Sequence, residues 1–423
     1  MPIPWRRYLR ALPVAVAVGV IALLTLEPRG RQAPLSAATP WNCLVCGPFG
    51  TVDVLLNLAL FVPLGFALGR VGLSPLRAAL VGLALSGAVE LLQATIVAGR
   101  DSSLSDLITN TSGAALGAIL AAGLPRLLRP ESALAARLTG GTAIAWLATL
   151  ALTGWAVQPD LPASGLTLRK APIVPMYDRF PGEIRSLMFN EIERDPGRIE
   201  PGAVQDGGPV TLTVEASLLN WPEITAPIAD VVDERWNTVA ILGQLGQKIT
   251  FTVRSRSQSL KLRAPSAKVY RALPPPRGQT FRAGGRLDDR SLSAFATVGG
   301  TRQTTETRLT PGLGWMLVLP LGFYPFDYRP DITSAVWTAL PLLLLGYWSR
   351  LSRTRPVMAL FVWGGVLGAG LVVIPPLTGS ASQGWETTAA CTVALLLGWV
   401  AAGYASRLVT AVVPPSARSA ASP

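Results

Sequence analysis

Val52-Asp-Val-Leu-Leu-Asn57-Leu-Ala-Leu-Phe61-Val-Pro63-Leu-Gly65-Phe-Ala-Leu-Gly69 decides the fold class. Coiled as a helix at ~1.5 Å per residue, this run is about as long as the ~30 Å hydrocarbon layer is thick. Its side chains are almost all apolar, so lipid is the solvent it suits. Seven further runs meet or approach the same test: Leu9 to Leu26, Leu76 to Val97, Leu104 to Leu124, Leu138 to Val157, Ile332 to Trp348, Val357 to Ile374 and Thr387 to about Tyr404. The sequence therefore predicts a membrane α-helical bundle of about eight spans, the first an uncleaved anchor behind Arg6, Arg7 and Arg10.

Arginine placement sets an expected orientation. Arg70 and Arg77 lie in one link, Arg126, Arg129 and Arg137 in another, Arg350, Arg353 and Arg355 in a third, and Arg407 and Arg418 follow the last span. If the spans zigzag, all of these fall on the side of Arg6, which the positive-inside rule makes cytoplasmic. The opposite link Ser380 to Glu386 has no Arg or Lys, and Gly99 to Ser103 has only Arg100; Arg29 and Arg31 run against the pattern. The expectation is a multi-pass membrane protein with both termini cytoplasmic and residues 158–330 outside. Its parts are a four-span domain at 1–130, a fifth span at 131–157, an outer domain at 158–330, three spans at 331–410 and a tail at 411–423.

Composition agrees. Of 423 residues, 50% are hydrophobic and only 15% charged, too apolar for an ordinary soluble chain. The net charge of +12 is explained by Arg in the links, and no base-stacking platform accompanies it, so nucleic acid is not an expected partner. The chain has no His, which removes Ser-His-Asp triads, Cys-His dyads and imidazole metal sites. Three Cys remain. Cys43 and Cys46, outside, suit a small disulfide or a redox pair, and Cys391 a packing position.

Between the fifth and sixth spans the helical period gives way to alternation. Val210, Leu212, Val214 and Ala216 alternate with Thr211, Thr213 and Glu215, and Ile249, Phe251 and Val253 repeat the pattern. Leu260 with Leu262, and Leu292 to Val298, suggest more strands, with Gly299-Gly300 as a hairpin turn. An inserted all-β sandwich is the reading. Leu313 to Phe323 is expected to be a closing strand or an interfacial segment. Trp315, Phe323, Tyr324, Phe326 and Tyr328 read either as headgroup anchors or as sandwich core.

Polar residues concentrate near one end of spans two to four. Asp53 and Asn57 share a helix face; Ser86, Glu90 and Gln93 form a stripe; Asp106, Asn110, Gly113 and Gly117 lie on one face. Pro63 should bend span two. Gly65 with Gly69, and Gly113 with Gly117, have the small-xxx-small spacing of close helix packing. Ser103 and Asp106 fit a capping box. Glu90 within a span costs about 2.5 kcal/mol or more unless paired, protonated or wet. Arg100 is its expected cation. Asp53 and Asp106 also read as helix-dipole partners, and the two Asn as interhelical hydrogen bonders.

The strings Asp53-Val-Leu-Leu-Asn57 through Pro63-Leu-Gly65, Glu90-Leu-Leu-Gln93, Gly99-Arg100-Asp101, Asp106, Asn110 and Gly113-Ala-Ala-Leu-Gly117 resemble the VanZ-like family of bacterial membrane proteins. The resemblance covers about residues 10 to 128 and names a fold neighbourhood; the family takes its name from a protein linked to resistance to the glycopeptide teicoplanin. The downstream part resembles longer members with an appended concanavalin-like or laminin-G-like sandwich, on stretches such as Trp236-Asn237 to Gly243-Gln244. Three functions compete. The first is binding or modifying a lipid-linked precursor or envelope glycan at the outer leaflet through Asp53, Asn57, Glu90, Gln93, Arg100, Asp101, Asp106 and Asn110. The second is an intramembrane enzyme with Glu90 as the candidate catalytic acid or base. The third is a transporter or proton relay through Glu90. No cofactor is expected for the first; the second admits magnesium or calcium at Asp101 and Asp106.

Overall fold

The computed structural model describes residues 5–27, 43–97, 103–162, 164–174, 177–200, 202, 209–222, 224–273, 278–320 and 329–412. The chain divides into two compact units. The first holds the residues through Leu128 together with the segment Ser257–Arg263; the second holds most of the remainder.

The first unit is built on α1 (Trp5–Leu26), α2 (Gly50–Arg70), α3 (Pro75–Thr95) and α4 (Leu104–Leu128). Ser74 starts α3 by accepting the Arg77 N–H at 3.4 Å, and Pro75 fills the first helical position, where a missing donor costs nothing. Helix α2 continues through Pro63 to Arg70. Phe61 and Leu64 of α2, Ala78 and Val89 of α3, Ala114 and Ala118 of α4 and Ile21 of α1 form the buried core.

Small residues let α2 and α4 approach until backbone meets backbone. A methyl group on Gly65 would strike the Ala114 carbonyl, one on Gly117 the Val62 carbonyl, and one on Gly113 the Leu58 carbonyl. Gly69 faces Ala118 and Ala121. The two small-xxx-small pairs are thus opposite halves of a single interface. Lipid-embedded helices gain little from burying apolar surface, so such close packing is what holds them.

The second unit begins with α5 (Ser132–Ala156) and continues, among the described residues, into twelve strands. These are β1 (Thr167–Lys170), β2 (Gly182–Phe189), β3 (Ile192–Glu193), β4 (Gly197–Arg198), β5 (Val210–Leu218), β6 (Ala226–Val232), β7 (Thr238–Leu245), β8 (Lys248–Val253), β9 (Ser266–Val269), β10 (Thr280–Asp288), β11 (Ser291–Val298) and β12 (Thr301–Arg308). They form two six-stranded antiparallel sheets, ordered β4-β1-β6-β7-β8-β9 and β12-β11-β10-β5-β2-β3. Phe251 of β8 lies so close to Gly285 of β10 that a side chain there would enter its ring, so the two sheets face each other as a sandwich. Gly299 and Gly300, both at positive φ (54° and 81°), make the turn that pairs Val298 with Thr301.

Helices α6 (Gly314–Val318), α7 (Pro330–Leu351), α8 (Pro356–Leu367), α9 (Ile374–Thr378) and α10 (Trp385–Val412) follow, with a π-helical turn at Gly368–Val373 joining α8 to α9. Gly346 of α7 meets the Leu395 backbone and Gly398 of α10 the Leu343 backbone, the same device as in the first unit. Trp146, Leu150, Leu342, Leu345, Trp363, Cys391 and Leu395 fill the helical core.

Seven helices among the described residues are long and apolar enough to cross a membrane: α2, α3, α4, α5, α7, the α8–α9 stretch and α10. The apolar part of α1, Ala11–Leu26, is shorter. The chain is a multi-pass membrane protein with an all-β sandwich inserted between its helices.

Three local expectations are corrected. Leu260 and Leu262 lie in a 3-10 turn (Arg256–Leu260) and the residues after it, not in a strand. One alternating pair is too short a period to specify a strand against local turn hydrogen bonds such as Leu262 N–H to Ser257 O at 3.1 Å. The stretch from Leu313 is not a strand as far as Leu319; a 3-10 turn (Pro311–Leu313) and α6 stand there, largely buried. Trp315 is neither a headgroup anchor nor sandwich core. It is 1% exposed and donates to Ser334 Oγ of α7 at 2.9 Å, because the Pro311-Gly312 turn sends it into the helices. Phe323, Tyr324, Phe326 and Tyr328 lie outside the described residues.

Candidate functional site

The polar cluster occupies the end of the first unit where α1 and α3 finish and α2 and α4 begin. Asn57, half-buried on the second turn of α2, donates to Asp106 Oδ1 of α4 at 2.7 Å. Asp53, one turn earlier, is exposed. The stripe on α3 fans out to three different partners. Ser86 accepts from Asn110 Nδ2 at 3.0 Å, Glu90 Oε2 accepts the Ser103 N–H at 2.7 Å, and Gln93 Nε2 donates to the Thr25 carbonyl of α1 at 2.9 Å. A period-3.6 stripe points along one face, but each rung sits at a different height and meets a different neighbour.

The bond to Ser103 corrects the capping box. Ser103 Oγ does cap α4, accepting the Ser105 N–H at 3.1 Å, but the carboxylate on the Ser103 N–H comes from Glu90 of α3, not from Asp106 three residues on. Asp106 turns instead to Asn57. Thus α3 and α4 are clasped end to start, and Glu90 lies against the positive end of the α4 dipole.

Asn110 is 4% exposed, and its Oδ1 has no hydrogen-bond partner although its Nδ2 does. A buried amide oxygen left open forfeits a hydrogen bond it could accept from a ligand or water. Arg100 and Asp101 lie outside the described residues, so the Glu90–Arg100 pair and a cation at Asp101 and Asp106 are not part of this geometry. No group of three or more metal-ligating side chains occurs among the described residues.

Cys43 and Cys46 form a disulfide whose loop borders the cluster. Ser105 Oγ donates to the Leu44 carbonyl at 2.6 Å, and Lys261 Nζ to the Val45 carbonyl at 2.5 Å. Arg263 stacks over Phe49 at 4.7 Å. None of these three contacts was legible in the sequence, because each joins residues far apart in the chain and two of them end on backbone atoms. The one local signal was Ser105 itself, a hydroxyl in the first turn of α4.

The VanZ/LLP1 family profile matches residues 15–128. This N-terminal region is VanZ-like. No curated protein and no solved structure matches the chain closely enough to be recognised as a relative. The VanZ-like region begins inside α1 and ends with α4, so it contains the whole cluster except the reach of Lys261 and Arg263. The two-sheet domain lies beyond the matched residues and is compatible with a concanavalin-like or laminin-G-like sandwich.

Proposed function

We propose that this VanZ-like membrane protein binds or modifies a lipid-linked precursor or envelope glycan at the outer leaflet of the bacterial cytoplasmic membrane. The observation that carries this reading is the open acceptor on Asn110, buried between α3 and α4 beneath the Asn57–Asp106 and Glu90–Ser103 bonds. Amides and carboxylates of this kind recognise hydroxyl and N–H groups, which glycans and lipid-linked precursors carry in abundance. Arginine-rich links on the opposite side favour an outer address for the cluster. Family membership adds glycopeptide resistance as the phenotype to examine.

The test is mass spectrometry of lipids and glycans that co-purify with the full-length protein in native membrane discs. Wild type should retain a defined species, and Asn110→Leu, which keeps the branching but removes the acceptor together with the Nδ2 donor to Ser86, should retain it at least tenfold less. Glu90→Gln should weaken retention less. Bulk lipid alone from wild type, or identical species from Asn110→Leu, overturns the proposal.

A further inference from the structure

The sandwich carries its own exposed tryptophan on a turn built to hold it out. Trp236, in the link from β6 to β7, is 69% exposed and has φ of 62°, a left-handed conformation that bulky residues seldom adopt. Asp233 fixes the turn. Its carboxylate accepts the N–H groups of Arg235 and Asn237, both at 2.9 Å, and Nη1 of Arg254 at 2.7 Å, and its carbonyl accepts the Trp236 N–H at 2.9 Å. The Arg169 guanidinium, anchored on fully buried Asp230, sits 5.7 Å from the indole centroid. Arg235 and Arg256 are exposed, and Arg256 stacks over Trp155 in the last turn of α5.

This turn stands close to the end of a membrane-crossing helix. Arg254 bonds Asp233 and also, through Nε, the carbonyl of Asp160 at 2.8 Å, only four residues past Ala156, the last of α5. The Arg256 N–H meets the Gln158 carbonyl at 2.9 Å. Four residues reach at most ~14 Å, and a helix of 25 residues is about 37 Å long against a hydrocarbon core of about 30 Å. A 25-residue helix centred on that core ends in the headgroup layer, and the turn is tied to the chain within that reach of its end.

We propose that the β6–β7 turn is an interfacial anchor, with the Trp236 indole and the guanidinium groups of Arg235 and Arg256 seated in the phosphate and glycerol layer of the membrane that α5 crosses. An indole has an apolar body and one N–H, which suits that layer, and guanidinium groups suit its phosphates. The anchor would hold the sandwich at a fixed height on the membrane, whichever side it faces.

The experiment uses the full-length protein with Cys391→Ser, so that a single introduced cysteine takes a fluorophore, in lipid discs containing phosphatidylcholine spin-labelled at the headgroup. Arg235→Cys reports the turn. Thr301→Cys is the distant control, at the far end of β12, because that strand's other end leads to Leu309, whose carbonyl accepts the Ala381 N–H beside α10. Eight residues of strand put the control roughly 26 Å away. Quenching at 235 should exceed that at 301 at least threefold. Adding Trp236→Ala should halve the quenching at 235, and Trp236→Phe, which keeps an apolar ring, should preserve most of it. Equal quenching at 235 and 301, or no response at 235 to either Trp236 substitution, overturns the anchor.

Discussion

Replacing Glu90 separates its two properties, charge and acceptor. Glu90→Gln keeps an oxygen for the Ser103 N–H, whereas Glu90→Leu leaves that N–H without its partner at 2.7 Å. Losing one partner of such a bond costs about 1–2 kcal/mol. Unfolding in detergent should therefore show Glu90→Leu destabilised by that amount and Glu90→Gln close to wild type; equal losses would mean that charge, not hydrogen bonding, matters there. Asp233 gives a pH counterpart on the sandwich. Burial pushes its carboxyl up, but hydrogen bonds from Asn237, Arg254 and Arg235 outweigh burial and hold it below the usual range. A depressed folded-state pKa stabilises above the ordinary carboxylate value of about 3.9 and is lost as pH falls through the folded value. The stability gap between wild type and Asp233→Asn should be constant from about pH 5 to 7 and shrink below about pH 4. Asp230 works in the opposite sense: burial raises its pKa despite the Arg169 bond, so Asp233→Asn, not Asp230, isolates the effect.

At the scale of elements, the α2–α4 seam and the β11–β12 hairpin make separate demands on glycine. At Gly117 the demand is space, since any side chain meets the Val62 carbonyl and the Phe66 N–H. Gly117→Val should open the seam and cost about 3 kcal/mol or more, seen as a collapse of folded yield in detergent. At Gly300 the demand is backbone, since φ is 81° and nothing lies within 4 Å of an added carbon. Gly300→Asn should be nearly neutral and Gly300→Val should cost about 1–2 kcal/mol. The spacing Gly113-Ala-Ala-Leu-Gly117 announced the seam because a helix repeats its faces locally, and Gly299-Gly300 announced the turn for the same local reason. The strands of β5, β8 and β11 were legible from alternation. The Glu90–Ser103 clasp, the burial of Trp315 and the exposure of Trp236 were not, because each depends on which distant segment arrives. For Trp236 the only trace was turn chemistry, an Asp233 and an Asn237 bracketing an indole.

For the whole molecule, orientation decides whether the cluster and the sandwich face the envelope. Each unit fixes its own geometry: in the first, Asn57–Asp106 and Gln93–Thr25 gather the ends of α1 and α3 with the starts of α2 and α4; in the second, the sandwich sits at the end of α5 through Arg254, Arg256 and Asp160. The link from α4 to α5 is short and carries Arg129, beyond Arg126 in the last turn of α4. Arg129 and Arg353 lie in arginine-rich links and are expected inside by the positive-inside rule. Phosphatase fusions, active only outside, should therefore be active at Gly208 and Ser380 and silent at Arg129 and Arg353, with fluorescent-protein fusions giving the reverse. Activity at Arg129 together with silence at Gly208 would turn the molecule over: the polar cluster would face the cytoplasm, and an outer-leaflet ligand would be ruled out while the seam, the clasp and the Trp236 anchor stood unchanged.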